Sequence, residues 1–482
     1  TLSSSSAASD VYKRQVMAGL ILIALGLLKA GRLIEFVPYP VTLGFTAGIG
    51  IVIATLQLKD LLGLQLAGQP SHYVQQIQML WQALPGIQIG DSLVALACLG
   101  VLLVWPRLVP RVPGHLVALT VGAVLGLLLE HGGLSVATLG ERFSYSVDGV
   151  SYPGIPPFLP TFAWPWQLPG ADGQPLVLSF ELIRQLLAPA FAIAMLGAIE
   201  SLLCAVVADG MTGSKHDPNA ELLGQGIGNL VAPLFGGITA TAAIARSAAN
   251  VRAGARSPLA AIIHAGVVLA AILFLAPLFS YLPMAALAAL LLMVAWNMSE
   301  AHHVAHTLRI APRSDVLVLL TCLLLTVLFD MVLAVGVGLL LAAGLFIKRM
   351  SELTDARSLP RHSHQALSDL PEHTLAFAIR GPLFFGAAER TLGALRRLDP
   401  HIRVVILDVS AVPMLDMTAL AALHSIVLEY RKHGIALIVS GASPSLRLKL
   451  RRAGLQRAHG RLSYARDLAQ ARAICEGWPG DA

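Results

Sequence analysis

The chain has 482 residues, with 34 Lys+Arg against 28 Asp+Glu. Hydrophobic residues make up 56%, charged residues only 13%, and the mean hydropathy is +0.71; soluble domains carry about 25% charge. A disordered chain, a collagen, a disulfide scaffold and a plain cytosolic enzyme are thereby excluded. Residues 1–347 hold 31 of the charged side chains and residues 348–482 the other 31. That division implies a membrane body followed by a smaller soluble domain. The net charge of +6 is no nucleic-acid footprint, because the body's cations sit in short loops.

In chain order, residues 1–15 (TLSSSSAASDVYKRQ) are polar and Ser-rich and lack the apolar core of a signal peptide. They read as a non-native or disordered tail. A helix crossing bilayer hydrocarbon needs ~20 apolar residues. Spans are expected near 16–29, 41–59, 91–105, 114–129, 186–207, 219–235, 258–281, 284–297, 314–330 and 331–347. Lipid forbids open strand edges, so helix is the default for each. Residues 68–86 read as an amphipathic interfacial helix. Residues 130–180, rich in Pro, Gly and aromatics, read as a compact external cap. The His302, His303 and His306 group reads as a solvated linker helix, and the four cysteines form no CxxC pair, so neither metal nor cofactor is expected.

With the C-terminal domain in the cytoplasm and 241–253 as one crossing element, the inside loops carry Lys29, Arg32, Arg107, Arg111, Lys215, Arg252, Arg256, Arg309, Arg313, Lys348 and Arg349. The outside loops carry only Lys59 and Arg142. This is the expected bias of cytoplasmic loops toward Lys and Arg.

Ionisable groups inside a span are costly and mark function by default. Glu200 sits mid-span, and Arg246 lies in the small-residue stretch 236–257. Gly236 and Gly237 break the chain, and a short helix is expected to start at Thr239, Ala240 and Thr241. The first amides of such a helix have no intrahelical acceptor, and its dipole is positive there. A broken-helix N-terminus at mid-depth favours an anion. Arg246 adds planar donors suited to oxyanions, and Glu200 is placed to balance it or to carry a coupled proton. An Arg246–Glu200 ion pair that only locks two helices is the structural alternative. Asp209 reads as an interface or loop-capping residue.

The stretches FVPYPVTLGFTAGIGIVIATLQLKDLLGL (36–64), AIESLLCAVVADGMTGSKHDPNAELLGQGIGNLVAPLFGGITATAAIARSAANVRAGARSPLA (198–260) and LLLMVAWNMSE (290–300) together resemble the SulP family of anion transporters. The resemblance runs from about residue 16 to the end. It implies an α-helical polytopic membrane fold, a seven-plus-seven inverted repeat with core and gate domains, and a substrate held between two facing half-helices. On that template the chain starts at the fourth segment and lacks the first three, so function would belong to a longer parent. The resemblance also implies substrate contacts from Glu200, from the backbone amides of Ala243, Ile244 and Ala245, and from Arg246. Bicarbonate-transporting relatives hold sodium with two threonines; Cys204 and Ile244 stand at those places, which disfavours sodium coupling. A homodimer is implied by resemblance alone.

Beyond a linker (348–373), residues 374–482 read as a small α/β domain. HTLAFAIRG, RVVILDVS and ALIVSG are strands, ERTLGALRRL, DMTALAALHSIVLEYRKHG and SPSLRLKLRRAG are helices, and one sheet face is expected to be covered. VVILDVSAVPMLDMTALAAL resembles the STAS domain. Asp416 fits a helix start. Met417 stands where phosphorylatable relatives carry Ser, which leaves Thr418 as a regulatory alternative. The basic run 447–457 reads as a solvated helix face or a contact for acidic lipid or a partner.

These readings converge on a secondary transporter of the inner membrane that moves sulfate, or bicarbonate or a dicarboxylate, by alternating access. Two rival classes remain open. One is a nucleobase–cation symporter, which would need neither the STAS-like domain nor the mid-membrane Arg. The other is a non-transporting membrane anchor for a STAS signalling module.

Overall fold

The computed structural model of the chain describes residues 2–32, 37–66, 68, 72–109, 112–147, 150–166, 179–329, 331–360, 367, 370–396, 399 and 401–478. The chain divides into two compact units, Thr1–Leu339 and Leu340–Ala482.

The first unit is built of helices: α1 (Leu2–Leu27), α2 (Tyr39–Leu61), α3 (Tyr73–Ala83), α4 (Ile89–Leu108), α5 (Gly114–His131), the short α6 (Leu139–Arg142), α7 (Phe180–Thr212), α8 (Pro218–Val231), α9 (Ile244–Arg252), α10 (Leu259–Phe279), α11 (Met284–Met298), α12 (Ala301–Ile310), α13 (Arg313–Leu328) and α14 (Met331–Glu352), the last running on into the second unit. Among the described residues, seven helices are long and apolar enough to cross a membrane. Helix α1 begins well before the span expected at residue 16: the stretch read as a tail is helical from Leu2, and its Lys13 and Gln15 are buried.

The membrane helices pack in two groups. Helices α1, α7, α8 and α9 form one; α2, α4, α5, α11 and α13 form the other. Small residues set the first group's spacing, because without a hydrophobic force in lipid close backbone approach must supply the attraction. Ala18, Ala194 and Ala198 are buried there beside Leu22, Leu202 and Leu222. Gly19 faces Gly226 so closely that a Cβ on Gly19 would lie 2.8 Å from the Gly226 carbonyl. The second group buries Val94, Cys98, Ala118, Ala285, Ala286 and Ala289. Helix α10 shows the opposite pattern: Ile262, Ile263, Val267 and Phe274 are all exposed, as befits a lipid-facing surface.

The segment read as an external cap carries a hairpin of β1 (Ser144–Val147) and β2 (Val150–Pro153), with Tyr145 stacked on Tyr152 at 5.6 Å. Residues 167–178 of that segment and 69–71 of the amphipathic stretch lie outside the described residues.

The second unit holds a five-stranded sheet ordered β3 (Asp355–Ser358), β4 (Thr374–Arg380), β5 (Val404–Ala411), β6 (Ala436–Ser440) and β7 (Leu462–Ala465). β3 is antiparallel and the others run parallel. β3 lies inside the stretch read as a linker. The expectation that one face is covered is corrected here: both are. Phe377, Ile379, Val405, Leu407, Leu437 and Val439 pack under α15 (Ala388–Gly393), α16 (Met417–Lys432) and α17 (Pro444–Arg452). The alternate residues Ala376, Ile406 and Ile438 pack under α18 (Leu468–Glu476) through Ala471 and Cys475. Strands buried on both faces read as unbroken apolar runs, and VVIL and ALIV are such runs.

Candidate functional site

The stretch between α8 and α9 is interrupted as the double glycine predicts. A 3-10 turn (Ala232–Phe235) ends at Gly236, whose φ of 71° is the left-handed conformation that glycine adopts without strain. The chain then stays irregular through Ala243, and α9 starts at Ile244. The expected start at Thr239–Thr241 is therefore corrected, and side chains from other helices explain the shift. Asn229 on α8 donates Nδ2–H to the Ala240 carbonyl at 2.8 Å, and its Oδ1 accepts the Ala240 N–H at 3.0 Å. This two-way pairing satisfies both backbone groups of Ala240 outside a helix. Gln225 also donates to the Ala240 carbonyl. Gln15 on α1 donates to Asn229 Oδ1 at 3.4 Å, and Tyr12 donates its hydroxyl to the Gly236 carbonyl at 3.1 Å.

The half-helix is anchored to α7 at two points. Thr241 donates its hydroxyl to the Gly197 carbonyl at 3.2 Å, and the Cys204 thiol donates to Ser247 Oγ at 3.2 Å. Gly197 and Cys204 are seven residues apart, two helical turns, and Glu200 lies between them on α7. Glu200 is half-buried.

Ala243 occupies the N-cap position and provides no side-chain cap. The amides of Ile244, Ala245 and Arg246 thus start the helix without intrahelical acceptors. Arg246 projects from this first turn and is exposed. No ion pair joins it to Glu200 among the described residues, so the helix-locking alternative is not realised. The Cys204 thiol is committed to Ser247, and Ile244 brings no side-chain oxygen. Asp209 caps the turn after α7: its carboxylate accepts from Ser214 Oγ at 3.1 Å and from the His216 N–H at 2.9 Å.

Asn229 and Gln225 were not singled out in the sequence. The signal was available: two amide side chains in an otherwise apolar segment are costly unless each finds a partner.

In the second unit, Asp416 is the N-cap of α16. Its Oδ1 accepts the Ala419 N–H at 2.8 Å, and its Oδ2 accepts the Phe385 N–H at 2.8 Å. Thr418 and Met417 are exposed on the first turn.

These features define a polytopic membrane protein with an interrupted helix at a basic residue and an appended α/β domain. The family model described as "Sulfate permease family" matches residues 11–322, and the STAS domain model matches 368–467. The chain belongs to the sulfate permease family of anion transporters and carries a STAS domain. It is 38% identical over 440 residues to YvdB of Bacillus subtilis (strain 168), covering 91% of this chain and 78% of that protein. It is 32% identical over 453 residues to the bicarbonate transporter BicA of Synechocystis, covering 90% and 74%. Its fold matches that of the murine Slc26a9 anion transporter with a TM-score of 0.77 at 18% identity, covering 93% of this chain and 72% of that one. Relatives are named as transporters, not as enzymes.

Proposed function

We propose that the protein is a secondary active transporter that binds an oxyanion at the start of α9, and that sulfate is its substrate, with bicarbonate or a dicarboxylate as the alternatives. The observation that carries the reading is the uncapped first turn. The amides of Ala243, Ile244 and Ala245 and the exposed guanidinium of Arg246, which has no ion pair among the described residues, lie where the chain leaves an irregular stretch. Amides and a guanidinium together make charge-assisted hydrogen bonds, the stronger kind. Glu200, half-buried on the adjoining helix, is assigned the coupled proton. Sodium is disfavoured because neither Cys204 nor Ile244 offers a hard oxygen ligand.

The two separately packed helix groups support alternating access, in which one bundle moves against the other around a fixed site. The excess of Lys and Arg on one set of loops supports an inner-membrane protein with its STAS domain in the cytoplasm. A homodimer belongs to the same reading. For regulation, Thr418 is the exposed hydroxyl beside Asp416, whose own carboxylate is occupied by two backbone donors.

The test is anion uptake by the full-length protein in proteoliposomes, over sulfate, bicarbonate and fumarate, at two pH values, with and without sodium. Arg246→Ala is expected to cut uptake roughly 10–100-fold, the worth of one charged hydrogen bond. Its folding should be intact, since an exposed side chain with no ion pair among the described residues carries within about 0.5 kcal/mol of stability. Unchanged uptake removes Arg246 from the site.

A further inference from the structure

A cavity of about 830 Å³ opens where α1 and α7 terminate and α8 begins. It is distinct from the α9 site. Lys29, Arg32 and Lys215 line it, together with Val206, Asp209 and His216. The local chain brings the three cations together. Lys29 sits in the left-handed region at φ 58°, which turns the chain sharply after α1. The Gly31 N–H then donates to Asn219 Oδ1 at 3.1 Å, tying this turn to the first residues of α8. Lys215 arrives from the α7–α8 turn.

Two acidic residues, Asp209 and Asp217, also line the cavity, and both accept hydrogen bonds from the local chain. Asp209 is held by Ser214 and by His216, whose Nδ1 lies 2.7 Å from its carboxylate. Asp217 caps α8 by accepting from the Asn219 N–H at 2.9 Å. Among the described residues, Lys29, Arg32 and Lys215 have no carboxylate within ion-pair distance. Three cations with no ion pair among the described residues therefore line one cavity, against the two carboxylates of Asp209 and Asp217.

Val206, which lines the cavity, is 54% exposed, and its chain neighbour Val207 is 40% exposed. Leu27 and Leu28, which precede the lining residue Lys29 in the chain, are 69% and 78% exposed. A free oxyanion would match the cations but leave these side chains bare. A molecule that is anionic at one end and hydrocarbon at the other matches both. Basic pockets between helices at the membrane surface are where anionic headgroups bind.

We propose that this cavity holds the phosphodiester headgroup of an anionic phospholipid, with its acyl chains lying over Leu27, Leu28, Val206 and Val207. The lipid would bridge α1, α7 and α8, and so brace the helix group that carries α9. The inference requires only that these helices lie in a bilayer, not that α9 binds an anion.

The experiment is equilibrium binding of radiolabelled phosphatidylglycerol to the detergent-solubilised full-length protein. The wild type is compared with the double variant Arg32→Gln/Lys215→Gln and with the charge-conserving Arg32→Lys/Lys215→Arg. Arg107→Gln serves as a control; it removes an exposed cation outside the cavity. Removing two surface charges should weaken phosphatidylglycerol binding about tenfold or more. The charge-conserving pair and Arg107→Gln should stay within about twofold. Phosphatidylcholine should compete poorly, and millimolar inorganic phosphate should not displace the lipid. Equal affinity in the Gln double variant overturns the proposal. So does an equal loss in Arg107→Gln, which would indicate unspecific attraction, or displacement by inorganic phosphate, which would indicate a site for free oxyanions.

Discussion

Two helix starts in this molecule solve one electrostatic problem in opposite ways. Helix α16 of the STAS domain begins at Asp416, whose two carboxylate oxygens accept backbone N–H groups at 2.8 Å each. Helix α9 of the membrane unit begins at Ala243, which offers nothing to the amides that follow it. Both N-termini carry the positive end of a helix dipole. In α16 the chain neutralises that end with its own anion and ties down the loop at Phe385. In α9 the end is left unneutralised, and Arg246 in the next turn adds to the positive field. A helix start left this way costs stability and keeps a place for an external anion. Other membrane helices also start without side-chain caps, α2 at Pro38 and α11 at Pro283 among them. What sets α9 apart is the irregular stretch before it and the guanidinium beside it.

The comparison can be broken most severely at Asn229. This side chain holds both backbone groups of Ala240 and is 4% exposed. Asn229→Ala should leave those groups without their partner, at a cost of about 2–3 kcal/mol. Uptake should fall with stability, because the entry to α9 loses its anchor. Thermal unfolding and uptake measured on one preparation would check this. A variant that keeps wild-type stability would show that Asn229 does not hold the segment.

Asp416→Ala comes next. Losing an N-cap costs typically about 1 kcal/mol, up to about 2, and here Phe385 loses its acceptor as well. The expected result is a lower unfolding midpoint for the STAS unit with anion affinity unchanged. A change in affinity would mean that the α16 start also takes part in the membrane site.

The smallest effect sharpens the same contrast between closed and open polar groups. Tyr430 is buried and donates its hydroxyl to the Leu395 carbonyl at 2.6 Å. Burial, with a smaller contribution from Glu429, pushes its pKa above the ordinary tyrosine value. Its favourable contribution is therefore complete below about pH 10, the unfolded value, and is lost as pH rises through the higher folded value. Tyr430→Phe should cost about 1 kcal/mol at neutral pH and should flatten the alkaline loss of stability. Parallel curves for the two proteins above pH 10 would exclude that role.

The parts legible in the sequence were those fixed by local pattern. The apolar runs gave helices, seven of them among the described residues long and apolar enough to span where ten spans were expected; Gly236 and Gly237 gave the break, and the lone Arg246 marked the half-helix. The true start of α9 was not legible, because it is imposed by Asn229 and Gln225 on α8 and by Thr241 reaching Gly197 on α7. Those are tertiary contacts between segments far apart in the chain. The Arg246–Glu200 ion pair, held open as the structural alternative, is not among the ion pairs of the described residues, and spacing alone could not decide it. Spacing places Glu200 on the right helix, but the direction of two side chains depends on how α9 is rotated against α7. In the STAS domain, β3 and β7 are four-residue strands, too short for period-two alternation to stand out. The cover provided by α18 is the counterpart of the unbroken apolar strands, which need a buried partner on both faces.

The most direct measurement closes the open helix start with a carboxylate. Ala243→Asp places at α9 the residue type that caps α16. Equilibrium binding of sulfate to the full-length wild type and to this variant would then be compared, with bicarbonate and fumarate in parallel. The account predicts at least about a tenfold loss of anion affinity together with an unchanged or higher unfolding midpoint, since a cap stabilises a helix start. Wild-type anion affinity in a variant whose new carboxylate is bonded to the first amides of α9 would contradict it.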